Sequence, residues 1–532
     1  MSKKIIISNI KKPFYADEED FISEAKLSVK RAGMNSRDFS FKLYKRSIDA
    51  RHRDSIMSVC SVIAETESNI EIPTERLKKY SITEAVDSEI DFVRGTKKLP
   101  ARPVVVGLGP AGIFCALVLA ENGYAPIVLE RGAPVKERVE AVEKFYKTGV
   151  LDTNTNIQFG AGGAGTFSDG KLVTRISDSK CSYVLRRLYE FGAGEDILYR
   201  AKPHVGTDVL RRVIENAAAK IKESGGEIKY NTRLEDIEGL RIKTTEGELL
   251  CGALVLAPGH SARDTYKMLM KRGFALESKP FSVGVRIEHL QEDIDRALFG
   301  KYASHPKLGK GEYNLSDTTG KRGVYTFCMC PGGEVVAATS EEGGVVVNGM
   351  SNYARDGRNA NSAVAVSVLR EDFGSDIEGA IEFQRKLERA AFLAGGSDYS
   401  VPVQTFGDFV NGKAVTEPKR ITPTYMGGSK FKVAELGSLL PAFVTNELKR
   451  GIMSFERRIE GFSSKDALLS GFETRTSAPL RILRGEDLCA VGREGIYPCG
   501  EGAGYAGGIT SAAVDGIKVA LAIMSKYAPF GG

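Results

Sequence analysis

A glycine-rich turn at residues 107–112, with the sequence GLGPAG, constrains the fold more than any other feature of this chain. The turn follows three valines at 104–106 and precedes an apolar run at 113–119, and a second apolar run at 127–129 ends in Glu130. A strand, a glycine turn, a helix and an acid-ended strand at this spacing form the βαβ unit that binds a dinucleotide. The sequence therefore predicts a Rossmann-like nucleotide site at this turn.

Each residue type in the turn has its own role in such a unit. Gly107 permits the tight turn, Gly109 lets a pyrophosphate approach the backbone, and Gly112 lets the helix pack closely on the strand. The unpaired N–H groups at the helix start, where Pro110 and Ala111 lie, offer hydrogen bonds and a partial positive charge to the phosphates. We expect these five residues to contribute to the nucleotide site.

Glu130 stands where an acidic residue accepts hydrogen bonds from the adenosine ribose. Its charge would repel a 2′-phosphate, so NADP is disfavoured at this site. The adjacent Arg131 is included in the predicted cofactor site.

Two later segments favour FAD over NAD. The segment at 254–264, LVLAPGHSARD, and the one at 495–520, GIYPCGEGAGYAGGITSAAVDGIKVA, are similar to segments of two-dinucleotide-fold flavoproteins. The similarity implies that an acidic residue reaches the ribityl–pyrophosphate region and that a helix N-terminus faces the flavin, where it stabilises the negative charge of the reduced ring. The candidate contacts are Ala257, Gly259, Gly500, Glu501, Gly508, Ile509 and Thr510.

A third glycine cluster lies at 157–172, IQFGAGGAGTFSDGKL, and also contains a GxGxxG pattern. A second, NAD(P)H-binding fold is disfavoured, because no apolar strand precedes the cluster and no acid-ended strand follows at the right distance. We expect a loop facing the flavin, with a surface loop as the alternative, and NAD(P)H only as a transient donor. The candidate contacts are Gly163, Ser168, Asp169, Gly170 and Lys171.

The order of these patterns predicts an α/β protein in which one domain is interrupted. A two-dinucleotide-binding-type FAD domain of Rossmann-like fold would comprise 97–272 and 485–532, with a mixed α+β substrate domain inserted at 273–484. Residues 1–96 predict a small N-terminal α/β domain, with a helix near 17–31 and strands at 39–47 and 55–64.

Composition favours a cytoplasmic protein without a membrane segment. The eight cysteines include no CxxC, the N-terminal apolar run is too short for a signal peptide, and no apolar stretch approaches the length of a membrane span. Cys328 and Cys330 are interpreted as packed thiols, because positions i and i+2 of a strand have poor disulfide geometry.

The net charge of +6 is modest for this length and disfavours a nucleic-acid partner. Residues 26–53 nevertheless hold nine lysines and arginines against two aspartates, so an RNA-binding face stays an alternative to a solvated or docking face. Residues 1–96 as a whole are nearly neutral, with 17 basic and 16 acidic side chains.

The chain resembles the bacterial FAD-dependent dehydrogenases described as NAD(FAD)-utilising or uncharacterised. The resemblance implies FAD and a dehydrogenase-like activity, and it supplies no substrate. The segments that carry it are KRSIDAR (45–51), FGAGGAGTFSDGKL (159–172), VNGMSNYARDGRNANSA (347–363), ETRTSAPLRI (473–482) and GEGAGYAGGITSAAVDG (500–516).

We therefore expect an FAD-dependent oxidoreductase that acts on a small organic molecule bound by the inserted domain. Arg475, Arg481 and Arg355 are candidate substrate contacts, since arginines pair well with carboxylates, and structural salt bridges are the alternative. The catalytic acid or base and the oligomeric state stay open, and no cluster has metal-ligand spacing. The alternative functions are an RNA-interacting flavoprotein and a non-catalytic FAD-binding protein.

Overall fold

In the computed structural model, which describes residues 3–68, 77–85, 92–412 and 416–531, the N-terminal segment forms an antiparallel sheet with one helix. Alternate residues of the strand Met57–Thr66 are buried, because one face of the sheet packs against Phe21, Ala25 and Val29 of the helix. The strands lie in the order β2-β3-β1-β4. The elements are β1 (Lys3–Pro13), α1 (Glu18–Arg31), β2 (Ser40–Asp49), β3 (Met57–Thr66) and β4 (Ile82–Glu84).

The next part of the chain, up to residue 272, alternates short strands with helices. Its elements are β5 (Val104–Val106), α2 (Pro110–Glu121), β6 (Ile127–Leu129), α3 (Val135–Thr148), α4 (Lys180–Glu190), α5 (Thr207–Glu223), β7 (Glu227–Lys229), β8 (Leu234–Glu238), β9 (Arg241–Thr244), β10 (Gly247–Leu250), β11 (Leu254–Leu256) and α6 (Arg263–Lys271).

Residues 273–484 form most of the remaining strands. Their elements are β12 (Leu276–Ser278), β13 (Phe281–Leu290), α7 (Gln291–Phe299), β14 (Ser316–Asp317), β15 (Val324–Cys330), β16 (Glu334–Ala337), β17 (Val347–Met350), β18 (Asn359–Val368), α8 (Ile377–Ala394), β19 (Val401–Thr405), α9 (Phe406–Asn411), β20 (Phe431–Val433), α10 (Leu436–Leu439), α11 (Ala442–Phe455), β21 (Leu468–Glu473) and β22 (Leu480–Ile482). The chain continues with β23 (Ile496–Pro498) and α12 (Ile509–Lys526).

A five-stranded parallel sheet joins the two sequence-distant parts of the chain, in the order β23-β11-β5-β6-β7. The valines of β5 are fully or almost fully buried, as in parallel sheets covered on both faces. Helix α2 is apolar around its circumference because it is buried against this sheet, α5 and α12. All carboxyl ends of the parallel strands therefore open at one edge.

A seven-stranded mixed sheet forms the core of residues 273–484, in the order β14-β15-β18-β13-β21-β19-β20. Strands β13 and β18 pair over their full length, from Phe281 opposite Val368 to Leu290 opposite Asn359. Their inward side chains are completely buried because helices α8 and α11 cover the sheet. The two-stranded ribbon of β12 and β22 lies where this part meets the parallel sheet.

Candidate functional site

A cavity of about 720 Å³ opens at the carboxyl ends of the parallel strands. Val106, Leu129, Ala257 and Cys499, at or just after the ends of four neighbouring strands, line it. Ligands of open α/β sheets bind in this crevice, and the volume lies within the range of small-molecule sites.

Most of the residues that the sequence assigns to a cofactor line this cavity. Gly112, Gly500 and Thr510 do not, although each supports its wall. The lining residues among the candidates are Gly107, Gly109, Pro110, Ala111, Glu130, Arg131, Gly163, Ser168, Asp169, Gly170, Lys171, Ala257, Gly259, Glu501, Gly508 and Ile509.

The three supporting residues act through close packing or a hydrogen bond. A Cβ at Gly112 would lie 1.8 Å from the carbonyl oxygen of Gly107, so only glycine lets the helix approach the turn. A Cβ at Gly500 would lie 2.6 Å from the Cβ of Ala111, and Thr510 donates a hydrogen bond to the carbonyl of Leu172 at 2.7 Å.

Other glycines leave empty space on the cavity wall. The nearest atom to a Cβ placed on Gly109 is 3.8 Å away, and nothing lies within 4 Å of one placed on Gly507 or Gly508. Gly109 and Gly508 precede the first residues of α2 and α12, whose unpaired N–H groups face the same cavity. These openings fit an anionic, extended ligand such as a dinucleotide.

The carboxylate of Glu130 joins three backbone segments around the cavity. It accepts hydrogen bonds from the N–H groups of Leu108 at 2.9 Å and of Gly132 and Gly160 at 3.0 Å. A carboxylate accepts about four hydrogen bonds, so one position is left for a ribose hydroxyl. Glu130 therefore holds these three backbone segments in position and can also make the predicted contact with the ribose.

The guanidinium of Arg131 is fixed by two neighbours on the cavity wall. It forms two hydrogen bonds to Asp264, at 3.0 and 2.9 Å, and lies 4.0 Å from the centre of the Phe159 ring. These contacts hold the side chain in place at the wall. A ligand can stack on the planar guanidinium when it is held in this way.

Arg138, which the sequence reasoning missed, orders the glycine-rich loop at 157–167. Its fully buried guanidinium donates to the carbonyls of Asn156, Ile157, Ala161 and Gly163 at 2.7–2.9 Å. The sequence gives no signal for this role, because Arg138 lies in α3, whose pattern is that of an amphipathic helix with a charged, solvated face.

Asp169 and Lys171 belong to a buried group of charges at another side of the cavity. Arg355 forms a two-point ion pair with Asp169, and the ammonium of Lys171 lies 3.1 Å from Asp169 and 3.3 Å from Glu312. Burial lowers the pKa of Lys171, but the two carboxylates outweigh it and raise that pKa above its ordinary value. Lys171 is therefore a fixed cation at the wall.

The candidate substrate arginines have other partners. Arg355 does not line the cavity because it is turned toward Asp169, and Arg481 does not line it because it pairs with Glu277 at 3.1 Å. The prediction that these two contact the substrate is therefore not supported.

Arg475 lines the cavity, yet its donors are used inside the protein. It forms hydrogen bonds to Glu388 at 3.0 and 2.9 Å and to the hydroxyl of Ser340. Arg263 binds the same Glu388 from the other side at 2.8 and 2.9 Å. This buried arrangement matches the salt-bridge alternative for Arg475.

A chain of polar side chains crosses the wall near the start of α12. His260 Nδ1 lies 3.0 Å from Ser261 Oγ, which donates to Gln158 Oε1 at 3.1 Å, and His260 Nε2 lies 4.0 Å from Glu501. Because the Ser261 proton is directed to Gln158, Nδ1 of His260 carries a proton and Nε2 presents its lone pair to Glu501.

The titration of this group follows from its surroundings. Burial raises the pKa of Glu501 to about 7, against the opposing effects of Lys279 and the backbone N–H of Gly508. Burial, together with Arg475 and Arg263, lowers the pKa of His260 to about 4. Near neutral pH the pair holds a carboxyl that exchanges its proton and an uncharged imidazole.

Residues 273–484 form the wall opposite the parallel sheet. Phe327 is 43% exposed and Cys328 is also exposed, because β15 bulges between Phe327 and Cys330 and Cys328 has a φ of 41°. Cys330 is buried as expected, whereas the packed state predicted for Cys328 is wrong. A bulge redirects side chains in a way that strand alternation cannot predict.

The basic segment at 26–53 is partly neutralised by nearby carboxylates. Five of its nine cationic residues form ion pairs, with Glu19, Glu24, Asp49, Glu195 and Glu460. Within the segment, the backbone of Arg46 also exchanges hydrogen bonds with Tyr199 and Ala201, so part of the face docks on the rest of the chain. This favours the docking alternative over RNA binding.

Within residues 3–68, 77–85, 92–412 and 416–531, no group of three or more His, Cys, Asp or Glu side chains is arranged to hold a metal ion. No helix in the same ranges has the length and apolar character needed to cross a membrane.

Comparison with known proteins connects this geometry to FAD. Residues 280–476 match a family described as FAD-dependent protein, C-terminal domain-like. An uncharacterised protein of Clostridium beijerinckii is 48% identical over 521 residues, which cover 96% of this chain and 97% of that protein. With the dinucleotide-type site, the family match confirms FAD as the cofactor.

Several solved structures show a remote likeness. The glycine oxidase of Geobacillus kaustophilus is 10% identical with a TM-score of 0.35, covering 81% of this chain and 96% of that chain. The L-amino acid deaminase of Proteus vulgaris is 13% identical with a TM-score of 0.33, covering 82% of this chain and 97% of that chain.

Proposed function

We propose that the chain, which belongs to the same family as the Clostridium beijerinckii protein, is an FAD-dependent oxidoreductase whose cavity holds FAD and an organic substrate together. The observation that carries the proposal is that Gly109, Glu130 and Gly508, from both ends of an interrupted fold, open on one cavity.

The proposed placement assigns a separate part of FAD to each group of residues. Glu130 and Arg131 hold the adenosine end, and the start of α2 at Gly109 binds the pyrophosphate. The start of α12 at Gly508 faces the flavin ring, with Glu501 toward the ribityl chain. The empty space beside the two glycines supports this placement.

Bound FAD supplies a two-electron acceptor, and the chain supplies orientation, charge and protons around it. Lys171, held by Asp169 and Glu312, offers a fixed positive charge. Glu501 and the neutral His260 hold a proton that can be exchanged near neutral pH. The buried network of Arg475 and Glu388 positions the wall where the substrate lies.

The proposed organisation is an FAD domain at 97–272 and 485–532, a substrate domain at 273–484 and an N-terminal domain at 1–96. The parallel sheet formed by β11, β5 and β23 supports the interrupted layout. The loop at 157–172 lines the same cavity as the GLGPAG turn and does not form a separate nucleotide site. NAD(P)H would therefore donate electrons only by binding transiently at the flavin.

Replacing Gly109 by alanine tests the cofactor site directly. Gly109 has an extended backbone, with φ of −82°, and its Cβ position is open, so the folded apoprotein tolerates the change. The added methyl group occupies the space assigned to the pyrophosphate. We expect at least a roughly tenfold weaker affinity for FAD, measured by flavin absorbance and fluorescence after reconstitution.

Gly437→Ala is the matched control, because a Cβ there meets only ordinary contacts, the nearest at 3.4 Å, and the residue does not line the cavity. Equal FAD affinities of the two variants would refute the placement. Anaerobic exposure of the wild-type holoprotein to NADH, NADPH and organic acids then identifies what reduces the flavin, and a flavin that none of them reduces would favour a non-catalytic role.

A further inference from the structure

We propose that Lys279 anchors the carboxylate of the substrate, which is a small organic acid with an apolar body. This inference rests on the proposed function, since it concerns the substrate of the same cavity. Lys279 was not singled out by the sequence, because an isolated lysine before a proline at 279–280 matches no motif.

Lys279 differs from the other cations of the cavity because, among the described residues, no carboxylate lies within 4 Å of its ammonium. Arg131, Lys171, Arg233 and Arg475 each lie within 4 Å of a carboxylate. In the described parts of the chain, the ammonium of Lys279 has neither a hydrogen bond nor an ion pair within that distance.

The charges around Lys279 favour an anion there. Burial lowers the pKa of Lys279, and the nearby Arg481 lowers it further. Glu501 offsets only part of this decrease. Arg481 and Arg370 share Glu277, so the region keeps more positive than negative charge. A carboxylate would restore the balance and relieve the cost of burying the ammonium.

The position of Lys279 favours a substrate over the FAD phosphates. The start of α2, at Gly109, already offers its N–H groups to a phosphate. Lys279 instead precedes β13 and belongs to the wall made by residues 273–484, with Phe281 and Ser282 following it.

The remainder of that wall suits an apolar body with few polar groups. Phe327 and Leu369 contribute apolar surface, and Ser282, Ser367 and Ser477 contribute hydroxyl groups. Glu473 is paired with Arg286 at 2.7 Å, so it does not repel an acid as a free carboxylate would.

Benzoate is a suitable probe, and benzamide is its uncharged equivalent. The holoprotein is titrated with each, and binding is followed by isothermal titration calorimetry and by the change in the flavin spectrum. We expect Lys279→Met to weaken benzoate binding by roughly ten- to a hundredfold and to leave benzamide and FAD binding unchanged, because a charge-assisted hydrogen bond is lost. Lys279→Arg should retain most of the affinity for benzoate.

Lys267→Met is the matched control, since Lys267 is an exposed lysine that does not line the cavity. The proposal fails if wild-type protein binds no benzoate, if Lys279→Met leaves benzoate binding unchanged, or if it weakens benzamide equally. A loss of FAD affinity in Lys279→Met would assign the lysine to the cofactor and also overturn the proposal. Failure of the proposed function is distinguishable, because protein that takes up no flavin still reports benzoate binding by calorimetry.

Discussion

Glu501 Oε1 lies 4.0 Å from Nε2 of His260 on the wall of the cavity, with the imidazole held by Ser261 on its other side. The carboxyl side chain is 25% exposed, and burial raises its pKa to about 7 from the ordinary 4.5. A carboxyl with a raised pKa binds its proton more tightly in the folded state than in the unfolded state.

The first prediction concerns the pH dependence of stability. Between pH 4.5 and about 7 the folded state holds more protons at Glu501 than the unfolded state, so the free energy of unfolding falls as pH rises through this window. Glu501→Gln removes this effect. We expect the variant apoprotein to be more stable than wild type by up to about 3 kcal/mol above the window and equal to it at the lower limit.

Urea unfolding of apoprotein at the two ends of the window measures this difference. The lowered pKa of His260 makes wild type less stable as pH falls from 6.5 toward about 4, and this opposite effect is present in both proteins. A stability difference that does not change with pH would show that Glu501 titrates normally.

The second prediction concerns Glu130. Glu130→Gln replaces one carboxylate oxygen by an NH₂ group, which then faces a backbone N–H of Leu108 or of Gly132 and Gly160. Leaving a buried donor unsatisfied costs about 1–3 kcal/mol, so we expect an apoprotein destabilised by that amount and a lower FAD affinity.

Glu140→Gln, an exposed position on α3, is the control and should stay within about 0.5 kcal/mol of wild type. Urea unfolding measures both variants. If Glu130→Gln lowers FAD affinity without changing apoprotein stability, then Glu130 contributes only the ribose contact.

Regular local patterns were sufficient to predict much of the nucleotide half. The turn at 107–112 requires glycine for reasons that are local, and the structure shows them in the close approach of Gly112 to Gly107. The helix predicted to follow the turn is α2, and the acid-ended strand predicted at 127–129 is β6.

Side-chain pairing across distant segments could not be predicted. Arg475 and Arg355 look like free substrate anchors in the sequence, but their partners, Glu388 and Asp169, lie far away in the chain. Lys279, in contrast, has no feature in the sequence that marks it as a substrate contact. It stands out only in the structure, where the other cations that line the cavity each have a carboxylate within 4 Å. Cys328 is exposed by a bulge that strand alternation does not reveal.

The third prediction separates the two interpretations of Arg475. Arg475→Met leaves a buried Glu388 with Arg263 as its remaining strong partner, so we expect a loss of about 3 kcal/mol in the free energy of unfolding. Arg385→Met removes a more exposed pair with Glu341 and should cost less than about 1 kcal/mol. Unchanged stability of Arg475→Met would restore the arginine as a candidate substrate contact.

The last prediction concerns Arg138 as a positioning residue for the loop at 157–167. Its guanidinium satisfies several buried carbonyl oxygens at once, and the three donors of a lysine ammonium cannot reproduce that planar arrangement. Arg138→Lys should therefore increase hydrogen exchange of the loop and weaken FAD binding by roughly tenfold or more, because Gly163 and Lys171 depend on the loop for their positions. Arg212→Met, which removes an exposed arginine with one carbonyl partner at 2.9 Å, should change neither measurement. If loop exchange increases while FAD affinity stays the same, the loop does not contact the cofactor, and the assignment of its glycines to the FAD site is wrong.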